Sequence, residues 1–578
     1  MNAEQLLQHF ERISEAPDAI KRLRRFILDL AVRGKLVEQD PSEEPASELV
    51  KRITAEKVML VKAGEIKKQK PLGALPESPF PIPSNWCWSQ LAEIGVLSPR
   101  NEAPDTLEVS FVPMPLIAAD YGVANQHEIR PWAEIKKGYT HFAEGDVGLA
   151  KITPCFENGK SSVFRNLTGG LGSGTTELYI VRPLFVNQDY ILLFLKSPHF
   201  IETGIPKMTG TAGQKRVPTN YFSNSPFPLP PLAEQHRIVA KADELMSLCD
   251  QLEAAKAERE KCRDSLVAAS LQRLNQPAEE EETFREYARF TFNNLPQITT
   301  RAAHIKQLRQ TILNLAVRGK LVEQRFIDGS AIDELKSITE QRGTSKKGRR
   351  SSQVTNEGEA LNTIKKAVPS SWFCAYLGDI VDPLKTISYG VLVPGDNIPG
   401  GVPLVRAQDL CLSGHPQKPN KCIAPDVERA YARTRLEGGE ILLCVVGSIG
   451  KIGIAPSEWA GANIARAVAR IKPVPQVYRD YLLLFLQSQN AQSSFKDSTR
   501  TLAQPTLNIG LIEQTPIPLP PLAEQQRIVA KVAELMAICD QLESQITEKE
   551  QDSRRFLESV LADALAPGIE LREVAEVA

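Results

Sequence analysis

Residues 151–162, KITPCFENGKSS, gather two lysines, an asparagine and three hydroxyl side chains around one glycine. Such a set could cradle a phosphate, because lysine supplies charge and glycine lets backbone N–H groups approach an anion. The spacing argues against it. A phosphate-binding loop needs glycine five residues before Gly159, and Pro154 stands there without an N–H. The related stretch GSIGKIG, residues 447–453, lacks a hydroxyl after Lys451. No HExxH, GxSxG or paired-carboxylate cluster appears, and the two PP dipeptides lie in LPPL rather than in the signature that holds a flipped adenine. His127, His141 and His415 are single residues, read as surface or satisfied polar groups. The nine cysteines form neither a CxxC pair nor a Cys/His cluster, so zinc is not expected and reduced thiols are. Catalysis by this chain alone is therefore not expected.

What remains is a set of polar loops of the residue types that reach phosphates and base edges. In the first half these are Lys151, Thr153, Asn158, Lys160 and Ser161, then Thr211, Gln214, Lys215 and Arg216. In the second half they are Arg406, Gln408, Ser448 and Lys451, then Arg500, Thr501 and Gln504. Charge neither marks nor forbids such a role. Lys plus Arg number 69 and Asp plus Glu 70, which excludes a histone-like basic coat. Residues 85–230 carry 12 basic and 13 acidic side chains and residues 370–518 carry 14 and 12, so neither has the basic stripe of an autonomous DNA binder. Composition alone leaves open a coiled-coil scaffold with protein- or carbohydrate-binding modules.

These loops sit in a chain built twice. PFPLPPLAEQHRIVAKADELMSLCDQLE at 226–253 recurs as PIPLPPLAEQQRIVAKVAELMAICDQLE at 516–543, with 22 of 28 positions identical. RRFILDLAVRGKLVEQ at 24–39 recurs at 309–324 with 13 of 16 identical. IPSNWCW at 82 is echoed by VPSSWFC at 368, and DYILLFLKS at 189 by DYLLLFLQS at 480. Between these blocks the two middles share little. A constant frame therefore carries two unlike modules, an arrangement that suits a pseudo-twofold axis.

Each copy reads as helix, module, long helix. A 3.6-residue period runs through Ile20, Leu23, Ile27 and Leu30, and Gly34 follows as a left-handed cap. After Pro230-Pro231 no glycine or proline interrupts the chain until about Leu274, and the twin runs from Leu522 to about Leu565. Ile238, Leu245, Leu252 and Leu266 in the first helix, and Ile528, Leu535 and Leu542 in the second, follow heptad spacing and predict a seam. The modules are rich in Gly, Pro and short alternating runs, so they predict irregular, mostly β structure and an α+β chain overall. The expected divisions are 1–84, 85–230, 231–275, 276–369, 370–518 and 519–578, with unfolded stretches at 276–283 and 341–358. The opening residues are polar and the longest apolar runs have six residues, so a cytoplasmic chain without a membrane span is expected.

The duplicated PLPPLAEQ(H/Q)RIVAK and LAVRGKLVEQ blocks, the segment AKITPCFENGKS at 150–161, and two unlike modules between constant helices together resemble the specificity subunits of type I restriction–modification systems. The resemblance covers residues 19–565. It implies two target-recognition domains, each reading one half of a split double-stranded DNA target. It implies that the long helices form an antiparallel coiled-coil spacer, and that the constant regions dock two modification subunits, which use S-adenosylmethionine to methylate adenine. Two restriction subunits, driven by ATP with Mg, would complete the assembly. No cofactor is expected on this chain itself.

Overall fold

The computed structural model describes residues 16, 18–67, 72, 75, 78–211, 213–276, 281–331, 361, 364–497 and 506–565. Two compact units divide the chain. The first holds residues 1–259 and 549–578, the second residues 260–548. Helices and mixed sheets make the chain α+β, as expected. The basic stretch 341–358 lies outside the described residues, as do residues 277–280 of the acidic 276–283; residues 281–283, expected to be unfolded, instead open a helix that runs to Ile298.

In the first unit the lead helix spans Ala19–Val32 and buries Ile20, Leu23, Ile27 and Leu30 on its core-facing side. Gly34 follows with φ of +67°, and Lys35 N donates to Leu30 O at 3.1 Å. A Cβ there would lie 2.5 Å from Pro83 Cγ. Glycine is thus required twice, by conformation and by the close approach of the PSNW block. Ten strands follow: β1 (Cys87–Gln90), β2 (Gly95–Leu97), β3 (Glu108–Val112), β4 (Glu128–Pro131), β5 (Thr140–Ala143), β6 (Val147–Ala150), β7 (Ser161–Val163), β8 (Leu171–Gly174), β9 (Leu178–Pro183) and β10 (Pro226–Leu229). They form two four-stranded sheets, β2-β9-β6-β7 and β4-β3-β8-β5, with β3 and β8 parallel. β1 and β10 pair by themselves, Cys87 opposite Leu229. The module therefore leaves the frame and returns to it at one place.

The second unit repeats this order. Its strands are β11 (Phe373–Tyr376), β12 (Ser388–Tyr389), β13 (Val402–Val405), β14 (Cys422–Ile423), β15 (Ile441–Cys444), β16 (Ile452–Ile454), β17 (Asn463–Ile464), β18 (Val468–Ile471) and β19 (Pro516–Leu519). The sheets run β12-β18-β15-β16 and β14-β13-β17, with β13 and β17 parallel, and β11 pairs with β19. Little sequence is shared, yet the strand order is the same apart from one strand that the second module lacks among the described residues.

Many frame contacts recur at matching residues. Trp86 meets Tyr190 edge-on with ring centroids 6.3 Å apart, and Trp372 meets Tyr481 at 6.3 Å. Tyr190 Oη donates to Pro228 O at 2.8 Å, and Tyr481 Oη to Pro518 O at 2.7 Å. Glu234 and Glu524, in the first turns of the long helices, each accept from a glutamine at 2.8 Å: Gln39 and Gln324. Gln235 and Gln525 donate to Pro230 O and Pro520 O, both at 2.9 Å. Arg24 bonds Asp250 and Glu253 as Arg309 bonds Asp540 and Glu543. The buried glutamates, glutamines and tyrosines among these need specific partners, which fits their recurrence in both copies, whereas the carboxylates that pair with Arg24 and Arg309 lie exposed.

The long helices span Leu232–Asn275 and Leu522–Leu565, 44 residues each. Ile238 is fully buried and Leu245 and Leu252 are partly buried in the first unit's core. Ile528, Leu535 and Leu542 hold the same places in the second. The heptad reading fails at Leu266, which is 44% exposed while Val267 is buried. On a straight helix a seven-residue step falls about 20° short of two turns, so four steps from Ile238 swing Leu266 about 80° off the face.

Candidate nucleic-acid interface

In the first unit the two candidate segments meet. Thr153 N donates to Lys215 O at 2.9 Å, and Thr153 Oγ1 accepts from Lys215 N at 3.1 Å. Val217 N donates to Lys151 O at 2.9 Å. Residues 209–211 and 213–216 fold back on each other: Arg216 N donates to Thr209 O at 2.8 Å and Gln214 N to Thr211 O at 3.0 Å. Gly210 and Gly213 supply the positive φ values of +126° and +80° that this turn needs. Thr211, Gln214 and Lys215 are exposed, and so is Asn158 on the neighbouring loop.

Several candidates turn inward. Ser161 is buried and its Oγ donates to Gly159 O at 3.1 Å, so it serves the turn and not the surface. Lys160 Nζ donates to Met114 O at 3.2 Å. Lys151 lies over the Tyr179 ring, 5.1 Å from its centroid. Arg216 pairs with Glu177 through Nε at 2.9 Å and Nη2 at 2.8 Å. That pair holds the Glu177 carboxyl below the usual range, chiefly through the hydrogen bond from Arg216, against a smaller opposing effect of burial. The amides of Phe156, Asn158, Gly159 and Lys160 all donate to carbonyls of residues 152–156, so the glycine loop spends its N–H groups on itself.

The second unit places its candidates alike. Lys451 Nζ donates to Ala407 O at 3.2 Å and Gln408 O at 3.4 Å, capping the turn after β13 as Lys160 caps the turn after β3. Arg406 Nε lies 3.4 Å from Asp409 Oδ2, which also accepts from Arg406 N at 2.8 Å. Ser448 and Gln408 are exposed. Thr506 bridges Val446 where Arg216 bridges Ile152. Arg500, Thr501 and Gln504 lie outside the described residues.

Sequence reasoning missed Glu177 and Lys196. Lys196 ends the helix Gln188–Lys196 on its buried side, 8% exposed. Its Nζ donates to Ala119 O at 2.6 Å and Gly159 O at 3.0 Å, tying two module loops together. Burial pushes its pKa down to about 7, against a weaker opposing pull from Asp120. A lysine on the apolar face of YILLFLK was the available signal. In the second unit Gln487 stands at that position in the repeat, and the amide of Gln492 ties the Gly450 loop to the preceding helix, donating to Gly450 O at 2.9 Å and Leu486 O at 2.8 Å. Among the described residues, no group of three or more His, Cys, Asp or Glu side chains is placed to hold a metal, and no helix is long and apolar enough to cross a membrane.

Two unlike modules of one topology, each presenting polar loops from a duplicated helical frame, define a DNA-specificity type of protein, and residues 400–549 match the family model described as the type I restriction modification DNA specificity domain. The specificity subunit of the type I restriction enzyme EcoEI from Escherichia coli is 38% identical over 94% of this chain and 93% of its own length. That of EcoAI, also from Escherichia coli, is 38% identical over 94% and 93%. A crystal structure of the HsdS subunit from Thermoanaerobacter tengcongensis has a TM-score of 0.45 and 20% identity, covering 84% of this chain and 98% of that one. The chain belongs to the type I restriction enzyme specificity subunits.

Proposed function

We propose that each unit reads one half of a bipartite double-stranded DNA target, and that this non-catalytic subunit directs enzymatic partners to it. The carrying observation is that residues 151–162 and 209–216 converge on one exposed edge of a module clipped into a repeated frame. The target-recognition domains are residues 85–230 and 370–518. Residues 1–84, 231–275, 276–369 and 519–578 form the constant regions and dock two modification subunits, which bring S-adenosylmethionine. Two restriction subunits bring ATP and Mg chemistry.

The long helices are read as an antiparallel spacer. Leu232–Asn275 begins in the first unit and ends in the second, and Leu522–Leu565 does the reverse. At 1.5 Å per residue each is about 66 Å long. Readers held on such a frame meet half-sites roughly one helical turn apart, about 34 Å, and unlike modules give unlike halves. Exchanging residues 85–228 for another module tests the reading. Methylation mapping of the assembled complex should show one half-site replaced and the other, with the gap, retained; a change in both halves would refute it.

A further inference from the structure

The two modules differ at one place that bears on reading. In the first, Lys151 N donates to Glu177 O at 3.0 Å; in the second, Val445 N donates to Ala467 O at 2.9 Å. Ile152 bridges Arg216, and Val446 bridges Thr506. By these matching ladders Ala467 and Thr506 stand where the first module has Glu177 and Arg216. The second module therefore cannot form that ion pair.

In the first module the pair is two-pronged, and the remaining Arg216 nitrogen, Nη1, donates to Gln214 O at 3.1 Å. The guanidinium is thus engaged on all three nitrogens within the protein, fixing the strap that carries Gln214 and Lys215. Among the described residues the side chains of Gln214 and Lys215 have no hydrogen-bond partner, and both are exposed. A glutamine amide can meet adenine N6 and N7 together, and a lysine can meet a phosphate.

We propose that the Glu177–Arg216 ion pair is a brace special to the first half-site: it positions residues 213–216 so that Gln214 reads a base edge and Lys215 holds the adjacent backbone. Arg216 is then a positioning residue and not a DNA contact. This rests on the DNA reading proposed above. A prepaid geometry matters here because an unbraced loop must lose its conformational freedom on binding.

The test uses the full chain assembled with its modification subunits, a randomised duplex library and S-adenosylmethionine, with methylated adenines mapped by sequencing. Glu177→Ala and Arg216→Ala should each lower discrimination at the first half-site about tenfold, the scale of one charge-assisted hydrogen bond, and leave the second half-site unchanged. The exchange Glu177→Arg with Arg216→Glu should recover part of that loss. Gln214→Ala should relax one base position of the first half-site while thermal melting stays unchanged. Equal loss at both half-sites with a lowered Tm would mean a merely structural pair and overturn the brace. So would unchanged first-half discrimination in both alanine variants. If the unaltered complex shows no sequence preference, the DNA reading itself falls, and the brace with it.

Discussion

The frame and the modules answer to different rules. In the frame, Glu234 and Glu524 each accept from the matching glutamine, Gln235 and Gln525 each cap the matching proline carbonyl, and Tyr190 and Tyr481 each donate to one. In the modules the strand order persists while the side chains change: where the first buries the stacked rings of Phe142 and Phe164, the second has a core of Val405, Leu442, Trp459 and Ile464, with Trp459 edge-on to His415. An apolar core accepts new residues when volume and pattern hold. A buried carboxyl or amide accepts only atoms that complete its hydrogen bonds. Sequence identity between the copies therefore tracks buried polar contacts, not topology.

Three measurements would sharpen or break this contrast. The largest effect should come from Lys196. Its amine titrates near 7 in the folded protein, held down by burial, whereas the unfolded chain keeps the ordinary lysine value of 10.5. Between those two values the unfolded state binds the extra proton, so stability should rise with pH by up to about 1.4 kcal/mol per unit. Lys196→Met should remove that rise between roughly pH 7 and 10. Gln492→Met in the other module should leave the profile parallel to that of the unaltered chain. Denaturant midpoints at several pH values would decide; a Gln492→Met profile that also flattens would contradict the asymmetry.

Next come the frame glycines. Gly34→Ala and Gly319→Ala both force a side chain into positive φ and against a proline, 2.5 Å from Pro83 and 2.6 Å from Pro369. Each should cost about 2 kcal/mol, and the two costs should match within about 0.5 kcal/mol. Unequal costs measured by urea unfolding would show that the two frames are not energetically alike. The smallest effect is expected at Lys160→Ala and Lys451→Ala. Each removes a cap on a turn carbonyl and should cost about 1 kcal/mol or less, with DNA affinity in a mobility-shift assay nearly unchanged. A loss of affinity without loss of Tm would return these lysines to the DNA.

The frame was legible because repetition and helical periodicity are local signals. The long helices end within a residue of their expected limits, at Asn275 and Leu565, since a run without Gly or Pro that stops shortly before Pro277 or Pro567 is visible in one dimension. The shared topology of the modules was not legible. Their strands have two to six residues, too few to show a period, and partners such as Ser110 and Gly172 lie far apart in sequence. The site was half legible for a related reason. Residue types identified the loops at 151–162 and 209–216, but only position in space shows that Lys160 and Arg216 face their own protein while Gln214 and Lys215 do not.

One detail of the clip between module and frame reaches beyond reading and docking. β10 and β19 alternate proline, at Pro226 and Pro228 and at Pro516 and Pro518. The carbonyls of Pro228 and Pro518 are taken by tyrosine hydroxyls, which places these prolines on the side turned away from β1 and β11. A two-stranded ribbon normally offers its free edge to any extended peptide. Here that edge has no N–H at alternate residues, and in each unit one of its carbonyls is already satisfied. The strand prolines, which precede the Pro-Pro pairs that lead into the long helices, thus make the outer edge of each clip a poor template for a further strand.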